Sequence, residues 1–249
     1  MVNYLITGAT RGIGAELVKQ LAADPKNTVV AGVRDPAAEA AKTLAQLRGH
    51  VITVQIDSSS DSDAKAAAKA VLSRGIDCID VIIANAGVAS DFKPVADVSA
   101  DDFRQTLTVN AVGPLLLFQA FLPLLKKSAS PKFLVVSSAI ASLGIQRQLP
   151  YKSTSYGASK AAVNFLALRI AIEYPDVVSL ALHPGLVATD LAAFAQSSLG
   201  SKIEDALSEG AAITVEQSAA GIIKLANEAA VDTHSGKFFK AQDGSELPW

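Results

Sequence analysis

Tyr156 and Lys160 stand four residues apart in Tyr156-Gly-Ala-Ser-Lys160, at the start of a run whose pattern predicts a long helix from Tyr156 to about Tyr174. Positions i and i+4 share one face of a helix, so the phenol and the ammonium project into the same space. A free tyrosine titrates near ~10 and exchanges protons poorly at neutral pH. A nearby cation favours the phenolate, so such a pair can build an acid/base tyrosine. The spacing is also common on solvated helix faces, and it acquires meaning only from what else the chain brings to the same place.

Short apolar runs alternate with longer amphipathic ones along the 249 residues. The strand-like runs are Tyr4-Leu5-Ile6, Thr28 to Ala31, Val51 to Val54, Val81 to Ala84, Phe133 to Val136, Val177 to Leu182 and Lys237-Phe238-Phe239. Helical patterns fall near 13–23, 36–47, 60–74, 101–126, 156–174 and 215–229. Near-continuous apolar strands separated by helices predict an α/β fold with a parallel sheet covered on both faces. No linker or repeat divides the chain, so residues 1–249 are expected to form one doubly wound domain. The sequence is 50% hydrophobic and 18% charged, with a net charge of -2, which gives no reason to expect nucleic acid or an anionic membrane as partner. The one cysteine, Cys78, allows no internal disulfide, fits a reducing compartment, and reads as a small buried hydrophobe. No signal-peptide pattern opens the chain. The longest apolar stretch, Ala111 to Leu125, is broken by Gly113, Pro114, Gln119 and Pro123 and falls short of the ~20 residues of a membrane span. A soluble cytoplasmic protein is expected.

In doubly wound sheets the ligand lies at the carboxyl ends of the strands, so the residues after each strand are the candidates. After the first comes Thr7-Gly8-Ala9-Thr10-Arg11-Gly12-Ile13-Gly14. Glycines let backbone approach a pyrophosphate there, and the following helix offers free N–H groups, which predicts a dinucleotide site. The second strand ends on apolar Val33, where an NAD site usually has an acid, and Arg34 follows. A guanidinium suits a 2′-phosphate by charge and fork geometry, and Arg11 could join it, so NADP(H) is expected over NAD. Asp57 could accept from an adenine amino group or cap the next helix. Asn85-Ala86-Gly87 could lie against a ribose, or Asn85 could lock the sheet edge. Asn110 falls inside a long apolar helical pattern that Gly113-Pro114 should disturb, and is either exposed or a buried polar group that needs partners. Ser137-Ser138 places hydroxyls after the fifth strand. His183 finishes the sixth strand, and Pro184-Gly185 fixes a turn beside the same crevice.

In this order and spacing, the glycine turn, Asn85-Ala86-Gly87, the serine after the fifth strand and Tyr156-x-x-x-Lys160 resemble the short-chain dehydrogenase/reductase family over the whole chain. The resemblance implies a Rossmann-like, mainly parallel sheet of seven strands in the order 3-2-1-4-5-6-7. It implies a nucleotide loop of Gly8, Gly12 and Gly14 lined by Thr10, Arg11 and Ile13, with Asp57 near adenine and Asn85 and Gly87 in the Asn-Ala-Gly turn. It makes Asn110, Ser138, Tyr156 and Lys160 the catalytic set. Pro184, Gly185, Val187 and Thr189 would hold the nicotinamide. The ending, His234 to Phe239 and Asp243 to Trp249, is similar to a subgroup of sniffer-type carbonyl reductases, C-factor-like proteins and fungal ketoreductases of aromatic polyketide pathways.

One departure concerns the serine. Ser138 stands 18 residues before Tyr156 and Ser142 stands 14 before it, both further than the family's usual dozen or so. The family serine is typically the second of a pair with a small residue close behind, which favours Ser138, and the extra length reads as an inserted loop at 146–152. The activity implied is NADPH-dependent reduction of a ketone or aldehyde. Tyr156 would give the proton, Lys160 would lower the tyrosine's pKa and bind the nicotinamide ribose, and Ser138 would donate to the carbonyl oxygen. Asn110 would hold a water linking Lys160 to solvent. The segment 190–214, with Leu191, Ala192, Ala193, Phe194, Ala195, Leu199, Ile203 and Leu207, reads as a lid over a hydrophobic small-molecule carbonyl substrate, or as a helix pair packing its own face. NADP-dependent oxidation of an alcohol such as a hydroxysteroid, and a non-catalytic NADP sensor, are the rival readings. The helix carrying Tyr156 is apolar nearly all round, which suits a homo-oligomer, dimer or tetramer, although a monomer remains compatible.

Overall fold

In the computed structural model, which describes every residue except Arg48, Ser90, Asp91, Pro150, Ser198, Leu199 and Ser201, the apolar runs pair into one sheet. The strands are β1 (Val2–Thr7), β2 (Asn27–Val33), β3 (His50–Gln55), β4 (Val81–Ala84), β5 (Lys132–Val136), β6 (Val178–His183), β7 (Phe238–Lys240) and β8 (Glu246–Leu247). Their order is β3-β2-β1-β4-β5-β6-β7-β8. The first seven are parallel and stand as expected. The eighth is an addition, antiparallel to β7 and only two residues long, too short to leave a periodic signal in the sequence. Trp249 just beyond it stacks on Phe238 with ring centroids 5.8 Å apart.

Helices cover both faces. They are α1 (Gly12–Ala22), α2 (Glu39–Ala45), α3 (Asp63–Ser73), α4 (Ala100–Leu107), α5 (Gly113–Leu125), α6 (Thr154–Glu173), α7 (Asp190–Ser197), α8 (Ile203–Ser208), α9 (Val215–Glu228) and α10 (Val231–His234). Strand alternation sends neighbouring side chains to opposite layers. Ile6 joins Leu17, Leu180 and Ile222 under α1 and α9, whereas Leu5 joins Val71, Phe121, Phe133 and Ala167 under α3, α5 and α6. The central strands β4 and β5 are buried at every position, which is why they read as continuous apolar runs.

The single helix expected at 101–126 is three pieces: α4, a π turn at Thr108–Val112, and α5. Pro114 lacks the N–H that an α-helix would direct at the carbonyl of Asn110. Gly113 packs on the loop after β3, so closely that a Cβ there would lie 2.7 Å from the Ser58 carbonyl oxygen. Together the pieces run from Ala100 to Leu125, 26 residues and apolar enough to cross a membrane, longer than the stretch the sequence suggested. The span packs on the sheet instead, with Leu117, Phe118, Phe121, Leu124 and Leu125 in the core. Cys78 is only half-buried; its thiol lies 3.7 Å from Asp80 Oδ1, and burial followed by Asp80 raises its pKa.

Gly113→Ala separates two opposed effects. Helix propensity favours alanine by about 1 kcal/mol, but the new methyl meets backbone that cannot yield, and overpacking costs about 1–3 kcal/mol. Lower stability is expected, with Tm falling roughly 2–4 °C per kcal/mol in calorimetry.

Candidate active site

Helix α6 begins next to the carboxyl end of β5, and its first two turns bury Tyr156 and Lys160 to 7% and 4% exposure. Lys160 Nζ donates to the carbonyl oxygen of Val136, the last residue of β5, at 2.7 Å. It also lies 5.7 Å from the centre of the Tyr156 ring. Ser138 follows β5 by two residues. Its hydroxyl lies close enough to the Tyr156 phenol to lower that group's pKa, and it accepts from the Ile140 N–H at 3.3 Å, capping a 3-10 turn at Ala139–Ala141. Ser142 is fully buried and its hydroxyl donates to the carbonyl of Trp249 at 3.4 Å, turned towards β8. Of the two serines, only Ser138 meets the tyrosine.

Asn110 sits in the π turn at 1% exposure. Its Nδ2 donates to Val88 O at 2.8 Å and to Ser159 Oγ at 2.9 Å, and its Oδ1 accepts from the Val88 N–H at 2.9 Å. Ser159 in turn donates to the Tyr156 carbonyl at 2.7 Å. The amide therefore clamps the segment after β4 to α6, and one Oδ1 lone pair is left for a water. Gly87 lies between the parts: a Cβ there would be 3.3 Å from Lys160 Nζ and 3.4 Å from Asn110 Oδ1.

The electrostatics differ from the expectation that Lys160 lowers the tyrosine's pKa. Burial pushes Tyr156 up to about 12, and the Ser138 hydrogen bond is what opposes the rise. Burial also pushes Lys160 down to about 8. The ammonium faces the Val136 carbonyl, and burial disfavours its charge.

The glycine turn is shaped for a phosphate. Gly8 and Gly12 adopt φ of +66° and +52°, a left-handed backbone that side chains resist. A Cβ at Gly8 would lie 2.9 Å from Ala86 Cα, and one at Gly14 would collide with the Gly8 carbonyl. Helix α1 starts with Arg11 as N-cap, with no side-chain cap hydrogen bond and no acid in its first turn, an arrangement that could accept an anion. Thr10 lies half-buried in the turn, and Ile13 lines the cavity below it. Asn85 takes the locking role: its N–H donates to Thr7 Oγ1 at 3.1 Å and its Nδ2 to Thr7 O at 3.0 Å, although it still borders the cavity.

Val33, the last residue of β2, is buried, and Arg34 just after it is exposed. Arg34 acts electrostatically on Asp57, whose carboxyl is held below its ordinary range first by hydrogen bonds from Ser59 and then by Arg34. Asp57 does not cap the next helix, since α3 begins at Asp63 with Ser62 as N-cap; it closes a local turn by accepting from Ser59 N and Oγ at 2.8 and 2.7 Å. Arg11 pairs with Asp190 at 2.9 Å, an exposed contact between the glycine turn and the start of α7.

Ile13, Asn85, Gly87, Ser138, Tyr156 and Lys160 border a cavity of about 240 Å³, whereas Gly8, Thr10, Arg11, Gly12, Gly14, Arg34, Asp57 and Asn110 are not among its lining residues. Pro184, Gly185, Val187 and Thr189 form one wall, and Leu191, Ala192 and Ala195 of α7 lie across it. His183 ends β6 at the same wall, its ring kept neutral by burial and then by Lys240, which push it down to about 4. Several wall residues were not among the site residues expected from the sequence: Val136, Ala139, Ile140 and Leu186, which adjoin expected ones, and Phe92, Leu149 and Tyr151, which lie in irregular segments. Phe92 is the hub, with ring centroids 6.4 Å from Tyr151, 6.4 Å from Tyr156 and 5.5 Å from Phe194. Ile203 and Leu207 of the segment 190–214 pack in a small cluster of their own with Ala192 and Ala212, so that segment both borders the cavity and covers its own apolar face. Leu199 lies outside the described residues.

A sequence model described as short chain dehydrogenase matches residues 3–199. The chain is 37% identical over 251 residues to the short-chain dehydrogenase srdF of Neurospora crassa, covering 98% of this chain and 96% of that one. It is 36% identical over 252 residues to the norsolorinic acid ketoreductase stcE of Emericella nidulans, covering 99% and 93%. Among solved structures, the NADPH-bound carbonyl reductase from chicken fatty liver superposes with a TM-score of 0.87 at 31% identity, covering 99% and 98%.

The depressed Lys160 has a consequence for stability. With a folded pKa about 8 against 10.5 unfolded, the unfolded chain binds the extra proton between those values, so folding becomes more favourable as pH rises through this window. From pH ~8 to ~10, the unfolding free energy of the cofactor-free protein should rise relative to Lys160→Met by on the order of 2 kcal/mol, read from urea titrations. Parallel pH profiles would show that Lys160 is not depressed.

Proposed function

The chain belongs to the short-chain dehydrogenase family, and from that premise we propose that it reduces a hydrophobic, aromatic-type ketone or aldehyde to the alcohol with NADPH. The observation that carries this reading is that Ser138, Tyr156 and Lys160 line one cavity, walled by aromatic and aliphatic side chains. The ketoreductase and carbonyl reductase relatives support it.

When bound, the nicotinamide cofactor supplies the hydride for the carbonyl carbon. The glycine turn, with Gly8, Thr10, Arg11, Gly12, Ile13 and Gly14, would hold the pyrophosphate. Arg34 and Arg11 would take the 2′-phosphate. The Arg11–Asp190 pair is exposed and of a kind worth only about 0–1 kcal/mol, so exchanging Asp190 for a phosphate dianion costs little. Asp57 would meet the adenine, Asn85 and Gly87 the adjoining ribose, and Pro184, Gly185, Val187 and Thr189 the nicotinamide. Lys160 would exchange its Val136 carbonyl partner for ribose hydroxyls.

The chain's own residues then handle the oxygen. Ser138 donates to the carbonyl oxygen, so negative charge grows against a donor already in place. Tyr156 transfers its Oη proton to that oxygen. An alkoxide is more basic than a phenolate, so the transfer is downhill even from a phenol whose pKa is raised. The resulting phenolate is stabilised by the Lys160 ammonium and regains its proton from solvent, with Asn110 Oδ1 positioned to hold a water on that route. The same phenol would act as the base in alcohol oxidation, and the ratio of oxidised to reduced cofactor sets the direction. Helix α7 serves as the lid of the 190–214 segment. The exposed Leu115, Phe165 and Ile172 on α5 and α6 give the chain a face for a homo-oligomer.

Tyr156→Phe should lower kcat/KM for NADPH-dependent reduction of aryl ketones by about 10²–10⁴-fold, with NADPH affinity by fluorescence titration nearly intact. Retention of substantial turnover would sink the assignment of the acid. Ser138→Ala should cost about 10²–10³-fold in kcat, whereas Ser142→Ala should lower stability by about 1 kcal/mol and leave kcat near wild type. Arg34→Ala should raise the KM for NADPH about tenfold without changing that for NADH; an equal effect on both cofactors would place Arg34 away from the 2′-phosphate.

A further inference from the structure

His183 is a titratable group that the carbonyl mechanism does not use, and it borders the cavity of Ser138 and Tyr156. Its backbone is held from both sides. Strand β6 pairs with β5 as far as Val136 and Leu182, and the Ser137 N–H donates to the Leu182 carbonyl at 2.7 Å. From the other side, the Ala241 N–H donates to the His183 carbonyl at 2.9 Å. His183 therefore stands one strand over from Ser137, beside the turn that carries Ser138. Its ring has no such partners. Nδ1 is sealed from solvent and has no hydrogen-bond partner among the described residues. Nε2 makes no hydrogen bond among them either, yet it is not sealed in this way, so it is the nitrogen that a ligand in the cavity can reach. Buried polar groups in folded proteins almost always find a partner, so an imidazole left open on a cavity wall points to one supplied by the ligand. The ring is neutral, because burial and then Lys240 push its pKa down to about 4, and a neutral imidazole carries one N–H. On Nδ1 that proton would be an enclosed donor without an acceptor, the rarer kind of omission. On Nε2 it faces the cavity.

We propose that His183 determines substrate specificity by donating from Nε2 to a second oxygen of the substrate, a hydroxyl, ether or carbonyl oxygen distinct from the carbonyl that is reduced. The proposal rests on the reading of Tyr156 as the reducing site, since a carbonyl held by Ser138 and Tyr156 fixes where the second oxygen falls. Neighbouring strands lie about 5 Å apart, so the two oxygens are separated by a distance of that order. An aromatic ketone spans it with one oxygen substituent on its ring. A donor rooted at the end of a paired strand is held more precisely than one on a loop. It also selects on a different basis from the wall of Leu186, Leu191 and Ala192, because apolar walls discriminate poorly between groups of one shape, whereas a hydrogen-bonding group distinguishes an oxygen from a methylene.

The test uses pairs of aryl ketones that bear a methoxy group or an ethyl group, nearly the same shape without the acceptor, at the ortho, meta or para position. At one position or more, the methoxy-to-ethyl ratio of kcat/KM in wild type should exceed that in His183→Leu by about fivefold, chiefly through KM. The substituent's effect on the carbonyl's own reactivity is common to both proteins and cancels. His183→Gln, whose amide nitrogen reaches about as far as Nε2, should restore most of the preference. His183→Asn, whose amide stops at the level of Nδ1, should not, and it replaces the leucine variant if that one fails to fold. Ratios that are the same in wild type, His183→Leu and His183→Asn at every position overturn the proposal. If His183 served only the fold or the cofactor, both members of each pair would weaken together, the ratio would stand, and in the second case the KM for NADPH would rise. Failure of the wild type to reduce any of these ketones counts instead against the carbonyl reading. Calorimetric binding of the same pairs to the NADP⁺-loaded protein then still decides the role of His183.

Discussion

A lysine ammonium held out of water with no carboxylate partner among the described residues is the constraint on which the site depends. Lys160 is 4% exposed and has the Val136 carbonyl at 2.7 Å. Burying a charge this way costs several kcal/mol unless dipoles or ligands compensate, and the depressed pKa of Lys160 records the shortfall. A carboxylate placed beside it would have favoured the charged form and drawn the pKa back towards its ordinary value. The site keeps the amine available for whatever enters the cavity, at the expense of stability in the cofactor-free state.

Rigid surroundings are what make that arrangement persist. Asn110 holds Val88 through both N–H and C=O and reaches Ser159, which holds the Tyr156 backbone. The clamp exists because α4 and α5 are joined by a π turn, which rotates Asn110 inward; Gly113 lets α5 sit against Ser58, and Pro114 withholds the N–H that would complete a regular turn. Buried polar networks of this kind specify one arrangement because a half-made version leaves amide groups unpaired. Ser138 and Tyr156 inherit their geometry from β5 and α6, elements whose register is set by the core beneath them.

The parts of the site that lie on regular elements were legible in the sequence. The glycine turn, Ser138, Tyr156 and Lys160 each follow a strand or open a helix, and the seven parallel strands emerged from the apolar runs alone. The misses share a physical origin: they depend on contacts between residues far apart in the chain. Phe92 lies in a loop without periodicity, and only the fold brings Phe194 to its ring. Strand β8 exists because β7 offers it an edge. Asp57 carried signals for a ligand contact and a helix cap, and the local turn with Ser59 prevailed over the cap. The influence of Lys160 on Tyr156 was inferred from charge, whereas burial sets both values, and burial is a property of the folded chain.

The spacing between serine and tyrosine shows how an irregular feature becomes a structural one. Extra length in a loop costs little closure entropy, so its presence alone says nothing about order. Here the additional residues are tied down: Leu143–Gln148 forms a 3-10 segment, Gln146 Nε2 donates to the carbonyls of Ile140 and Ser142, and the Gly144 N–H donates to Trp249 O. Trp249 is itself fixed by its stack on Phe238. The insertion thus hangs from the edge of the sheet, and Leu143 and Tyr151 line a cavity of about 430 Å³ there. A shorter connection would bring Ser138 to Tyr156 equally well, because that contact depends on β5 and α6. What the extra residues add is an apolar surface beyond the reacting group, to which Leu143 and Tyr151 contribute.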